Sequence, residues 1–183
     1  MAHPRTAVSL DPGPALVESY LVNDRMNQLV IEHLDPRAWR AKLPVGRTRT
    51  IAAIFSHVHN VRRKWLRLSA PHLKLPASLD RARCTQEQAG AALAESAARC
   101  CEMLTEALVQ PVGRVEIFRR DGWAKPWPAD AAMLAYMIAH DAHHRGQVCM
   151  LAHQLGFPLP AEVNYGMWTW EKLRKECVFP HPR

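Results

Sequence analysis

Two histidines four residues apart, His140 and His144, are the side chains of this sequence best placed to do chemistry. On a helix, successive residues turn by about 100° and rise about 1.5 Å, so an i, i+4 pair stacks one turn apart. With His140 at zero, His144 falls at about 40°, and Met133, Met137, Val148, Leu151 and Leu155 fall at about 20° to 80°. The pair therefore lies within an apolar stripe that should face a core. His143 is about 100° from the stripe centre and points away, and His153 is farther still. Buried imidazoles without partners cost about 1–3 kcal/mol each. Two neutral, hydrogen-bonded core histidines would avoid that cost. A divalent metal satisfies both rings at once, and i, i+4 is the spacing at which two helix histidines share one ion. Metal binding is the stronger reading.

A third ligand should come from another helix. The segment Ile54-Phe55-Ser56-His57-Val58-His59 offers two candidates on opposite edges of an apolar arc formed by Ile51, Ile54, Val58, Val61, Trp65 and Leu68. His57 shares a strip with Ile54, Val61 and Leu68, which mildly favours it, but spacing does not decide. Both could equally be boundary histidines with wet edges. Gln147, one turn after His144, could orient a ligand, contact a substrate or bridge two helices. Arg145 faces elsewhere and reads as structural, and Gly146 reads as a close helix contact. Asp141, about 100° from His140, is poorly placed as a general base, and no other residue stands out for that role. Cys149 lies about 180° from His140, the wrong side for a ligand. Of the adjacent pair Cys100 and Cys101, one should face inward as a small hydrophobe.

These groups need helices to hold them, and the prolines mark where helices can lie. Proline within a helix costs about 3 kcal/mol. The long proline-free windows are 15–35, 45–70, 77–110, 129–157 and 161–179. The first carries Val17, Leu21, Leu29, Val30, Ile31 and Leu34 in an amphipathic mix. Thr48 or Thr50 can cap a second helix that ends near Leu68. Thr85 and Gln88 form a capping box before Leu93, Ala97, Cys100, Leu104 and Leu108. Asp130 can cap a fourth helix ending at Leu155-Gly156. A shorter helix is expected over 164–176. Residues 112–127, with Val115, Ile117 and Phe118, read as a short hairpin or an ordered loop. The expectation is an all-α four-helix bundle with an additional short C-terminal helix. Residues 1–14 read as a flexible N-terminal segment and 15–179 as a single domain.

Composition narrows the partners. The chain has 183 residues, with 24 Lys+Arg against 17 Asp+Glu, a formal charge of +7. No stretch approaches the ~20 apolar residues of a membrane span, and the proline-rich start has no apolar signal core. Five cysteines without a CxxC pair argue against a disulfide framework, so a reducing cytoplasm is expected. The basic residues cluster at Arg37, Arg40, Lys42, Arg47 and Arg49, and again at Arg62, Arg63, Lys64 and Arg67. Such runs are most often solvated faces, and the functional options are an anionic substrate or nucleic acid. No nucleic-acid motif accompanies them. Trp123, Trp127, Tyr165, Trp168 and Trp170 either cap the core or close one end of the bundle over the site.

The element His140-Asp-Ala-His-His144-Arg145-Gly146-Gln147 resembles the C-terminal-helix motif of the DinB/YfiT-like metalloenzymes. His57-Val-His-Asn-Val-Arg-Arg-Lys-Trp65-Leu66 is similar to that family's first ligand motif, a histidine followed eight residues later by an aromatic. Tyr20-Leu-Val-Asn23-Asp-Arg-Met-Asn27, Leu155-Gly156-Phe-Pro158 and Trp168-Thr-Trp170 extend the similarity across about residues 15–172. The resemblance implies a DinB-like four-helix bundle, usually a homodimer, with His57, His140 and His144 as ligands. It implies one divalent ion, zinc first, with nickel, iron or manganese as alternatives. The implied activity is activation of water or of a low-molecular-weight thiol, as a hydrolase or thiol transferase acting on a small molecule. The alternative is a non-catalytic metal-stabilised bundle, or a stress-related protein that binds an anionic ligand or nucleic acid.

Overall fold

The computed structural model describes residues 11–44, 49–109, 113–120 and 125–177. Four long helices make the body: α1 (Pro12–Glu32), α2 (Ile51–Ser69), α3 (Gln86–Leu108) and α4 (Ala131–Gln154). α3 packs on α1 and α2, and α4 packs on the same two from the other side. The bundle is thus a square in which α1 faces α2, and α3 faces α4, across the diagonals.

The helix ends follow local chemistry. Thr50 caps α2 by accepting from the Ala53 N–H at 3.2 Å. Thr85 and Gln88 form the expected capping box on α3, an arrangement whose loss typically costs about 1 kcal/mol. Asp130 caps α4. At the other end of α4, Gly156 adopts φ +83°, Phe157 donates to the Ala152 carbonyl at 2.9 Å and Gly156 donates to that of His153 at 3.0 Å. That pair of bonds closes the helix in a Schellman turn.

α1 begins earlier than the proline windows suggest. Asp11 accepts from the Gly13 N–H, and Pro12 and Pro14 sit in the first turn. Proline is tolerated there because the first-turn N–H groups have no helical partner to lose. Residues 11–14, assigned above to a flexible segment, therefore belong to the bundle, while residues 1–10 and 178–179 lie outside the described residues. The C-terminal addition is two short helices rather than one, α5 (Ala161–Gly166) and α6 (Trp170–Glu176). The break lets Val163 pack into the main core while Leu173 packs on Val22 and Met26 of α1. The segment before α4 does form a minimal hairpin, β1 (Ile117–Phe118) with β2 (Trp127–Pro128), and Phe118 is buried against Trp65.

The core is apolar at both ends and polar in the middle. One end gathers Ile31, Trp39, Phe55, Leu93, Val148 and Leu151, and the other Tyr20, Trp65, Leu104, Met133 and Met137. Between them lie Asn23, Asp24 and Asn27 of α1, Arg62 of α2 and Asp141 of α4, all buried. Cys100 and Cys101 are both buried, not one of the two. α3 is covered by a helix on either side, so its buried arc is wide enough for both.

Candidate metal centre

α4 presents His140 and His144, and α2 presents His57 across the α2–α4 contact. One ring nitrogen from each of the three lies within 4.8 Å of the others. The ring centroids are 4.6 Å apart for His140 and His144, 4.7 Å for His57 and His144, and 5.5 Å for His57 and His140. His144 is buried and the other two are half-buried, so the group opens at the edge of the bundle. Three converging imidazoles suit a divalent ion with an open position.

Spacing left His57 and His59 undecided, the family resemblance pointed to His57, and the fold separates them. His59 is fully buried and points to the other side of α2, where its Nε2–H donates to the Ala77 carbonyl at 2.8 Å. Two residues turn a helix by about 200°, so the two rings cannot share one face. His57 joins the α4 pair.

The outer nitrogens are also committed. His144 Nδ1 lies 2.8 Å from Gln147 Oε1. An amide oxygen only accepts, so the proton sits on Nδ1 and the Nε2 lone pair is left free. Gln147 Nε2 in turn donates to His143 Nε2 at 3.0 Å. The glutamine thus acts along its own helix, not as a bridge between helices. His140 Nδ1 faces Asp141 Oδ1 at 3.4 Å.

Asp141 is the residue the sequence reading undervalued. The buried arc of α4 extends past the apolar stripe to Leu134 and Ala152, at about 120° on the same wheel, and takes in Asp141 at about 100°. Its Oδ2 receives Arg62 Nη2 at 2.5 Å and Asn23 Nδ2 at 3.3 Å. Burial alone would raise this carboxyl, but the Arg62 charge and the His140 and Arg62 hydrogen bonds hold it below the usual range. Asp24, paired with Arg62 Nη1 at 2.7 Å, goes the other way: burial raises it despite Arg62. Arg62 also donates to the Leu93 carbonyl of α3 at 3.1 Å. This polar layer ties all four helices to the carboxylate behind His140.

Arg62 belongs by sequence to a basic run expected to be a solvated face, and it is instead fully buried. The signal was present, since Arg62 lies between Val58 and Trp65 at helical spacing. Other members of the clusters are tied down as well. Arg37 pairs with Asp35, Arg40 donates to the Cys84 carbonyl, and Arg63 donates to that of Pro76. Arg47 and Trp123 lie outside the described residues.

Charge and aromatic surface shape the rest of the site. Burial first, then the neighbouring His144 and His140 rings, push His57 down to about 4, and Arg49 and Lys64 act in the same direction. Burial also lowers His144, against the opposing hydrogen bond from Gln147. Trp65 stands edge-on to His140 at 5.2 Å, with Tyr136, Phe118 and Trp127 packed behind it in tilted and edge-on contacts. Of the expected aromatic set, Trp127 is the one that joins this wall among the described residues, through Phe118 and Tyr136. Trp168 and Trp170 line a cleft on the far side of α4. Gly146 lines that cleft too, with nothing within 4 Å of a Cβ there, so it is not a close helix contact.

No helix among the described residues is long and apolar enough to cross a membrane. No match was found among curated proteins or among solved structures. The family model described as DinB family matches residues 7–172, which contain all four long helices and all three converging histidines. The chain belongs to the DinB family.

Proposed function

We propose that this protein is a divalent-metal-dependent enzyme that holds its ion on His57, His140 and His144 and delivers water or a small thiol as a nucleophile. The convergence of three ring nitrogens within 4.8 Å carries the reading. The chemistry of the donor set favours zinc, with nickel, iron or manganese as competitors. When bound there, a divalent ion supplies Lewis-acid activation of the nucleophile.

The chain's own residues have definable tasks. Gln147 holds the His144 proton on Nδ1, and Asp141 offers the same acceptor to His140 Nδ1, so each ring turns its Nε2 lone pair to the centre. Arg49 and Lys64 place positive potential at His57, which favours an anionic nucleophile such as a thiolate over its neutral form. The wall formed by Trp65 and Tyr136 excludes water on one side and offers apolar surface to the substrate. A cytoplasmic homodimer acting on a small molecule completes the proposal.

Elemental analysis of tag-free protein tests it. The expected result is about one divalent ion per chain, lost in His57→Ala, His140→Ala and His144→Ala. Metal-free protein whose thermal stability ignores both chelator and added zinc would overturn the site. Metal-loaded protein that neither hydrolyses esters nor consumes thiol with an electrophilic acceptor would leave a metal-stabilised, non-catalytic bundle.

A further inference from the structure

On the side of α4 opposite the histidines, a second cleft runs between α1, α4 and the turn that joins α5 to α6. Its volume is about 400 Å³, within the ~300–1,000 Å³ of small-molecule sites. Met26, Ile138, Met167, Trp168 and Trp170 give it apolar walls. Trp168 is 83% exposed and Trp170 45% exposed, a large aromatic surface left open beside it.

One charged group lines this apolar space. Arg145 spends Nη1 on the Asn23 and Asn27 side-chain oxygens, at 3.0 and 2.8 Å, and on the Asn23 carbonyl at 3.3 Å. Its Nε and Nη2 make no hydrogen bond among the described residues, and neither is sealed from solvent. No carboxylate lies within ion-pair distance of it among the described residues, because Asp24 and Asp141 are both taken by Arg62. The Nε–Nη2 edge is the planar two-donor fork that matches a carboxylate. Nη1 is held by the two asparagines and Arg145 lines the cleft, so its guanidinium is already fixed there and little rotamer entropy remains to be lost on binding.

We propose that this cleft is a binding site for a small amphipathic carboxylate, its anionic end on the Nε–Nη2 edge of Arg145 and its apolar body against Met26, Met167 and Trp168. The site is separate from the histidine centre, since it lies on the opposite face of α4. It stands whether or not the metal-dependent reading holds.

Calorimetric titration of the full chain with octanoate, octan-1-ol and octylammonium tests the proposal. Octanoate should bind, with octan-1-ol at least tenfold weaker and octylammonium weaker still. Gly146→Leu projects a side chain into the space beside Arg145 and should abolish octanoate binding while leaving metal content unchanged. Arg145→Met should bring octanoate and octan-1-ol to equal affinity. If Arg145→Met fails to fold, Gly146→Leu decides alone. His144→Ala should bind octanoate as the parent does, and loss of binding in that variant would place the carboxylate at the histidines and overturn the proposal. So would equal affinity for the acid and the alcohol in the parent, or unchanged binding in Gly146→Leu. Conversion of a dimer to a monomer by Gly146→Leu in sedimentation would assign the cleft to a second copy of the chain, and also overturn it.

Discussion

Arg62 Nη2 lies 2.5 Å from Asp141 Oδ2, and neither side chain is exposed to solvent. The pair sits at mid-bundle and has Asp24, Asn23 and the Leu93 carbonyl as further partners. Removing one member of such a pair strands the other charge in a low-dielectric interior, at a typical cost of about 3–5 kcal/mol. Arg62→Met should therefore lower the unfolding free energy read from urea denaturation by that amount, since it strands two carboxylates. A loss below about 1 kcal/mol would show that water reaches the layer and solvates them.

Gln147 should affect the metal without affecting the fold. It is exposed, and its amide oxygen fixes the His144 proton. Gln147→Leu is expected to weaken metal affinity about 10- to 100-fold, the usual effect of removing a group that orients a ligand. Competition against a chelating dye reads this directly, and melting of the apo protein should stay where it was. Unchanged affinity would mean that His144 needs no orienting partner.

His57 and His59 should give opposite phenotypes despite their spacing. His59→Ala removes a buried ring and its bond to the Ala77 carbonyl, so stability should fall by about 1–3 kcal/mol with metal loading intact. His57→Ala should lose the metal and leave the apo fold nearly as stable. Measuring loading and melting on both variants decides the assignment, and metal loss in His59→Ala would reverse it.

Acid should destabilise the metal-free protein through the same histidines. His57 is pushed down to about 4 in the fold, against about 6.5 in an unfolded chain. Above about 6.5 the ring is neutral in both states and contributes nothing. Between 6.5 and 4 only the unfolded chain takes up the proton, so stability falls as pH falls. His144, also lowered, adds in the same direction. Melting temperatures of chelated protein from pH 7.5 to 4.5 should drop across this window, with a shallower slope in His57→Phe. A parallel slope in that variant would remove His57 as a source.

Gly13 should not tolerate a side chain. It is buried in the first turn of α1, and a Cβ there would collide with the Leu108 carbonyl oxygen at the end of α3. The obstacle is backbone, so relief requires one helix end to shift, at about 1–3 kcal/mol. Gly13→Ala should lower the denaturation midpoint even though alanine favours helix more than glycine does. A gain in stability would mean that the helix ends separate without cost.

Much of the bundle was legible in one dimension because its signals are local. Caps at Thr50, Thr85 and Asp130 and the Gly156 terminus depend on residues within a few positions of each other. The His140–His144 pair was legible for the same reason, since i, i+4 geometry belongs to the helix alone. Two short-range readings went astray where a neighbour intervened. Gly146 looked like a helix contact and faces open space, and of Cys100 and Cys101 only one was expected to face inward but both are covered.

The sequence by itself determined the helices, their ends and the stacked histidine pair, because each rests on the repeat of a single helix. Helix periodicity could not decide which second-helix histidine joins them, though the family resemblance pointed to His57, because residues two apart on α2 face opposite sides and only packing picks the side that meets α4. Nor could it show that Arg62, Asp24 and Asp141 form one buried layer. Those charges come from three helices and sit 38 and 79 positions apart, 62 − 24 and 141 − 62. A charge is stable in a core only when its partner is already there, and that partnership exists only in the assembled bundle.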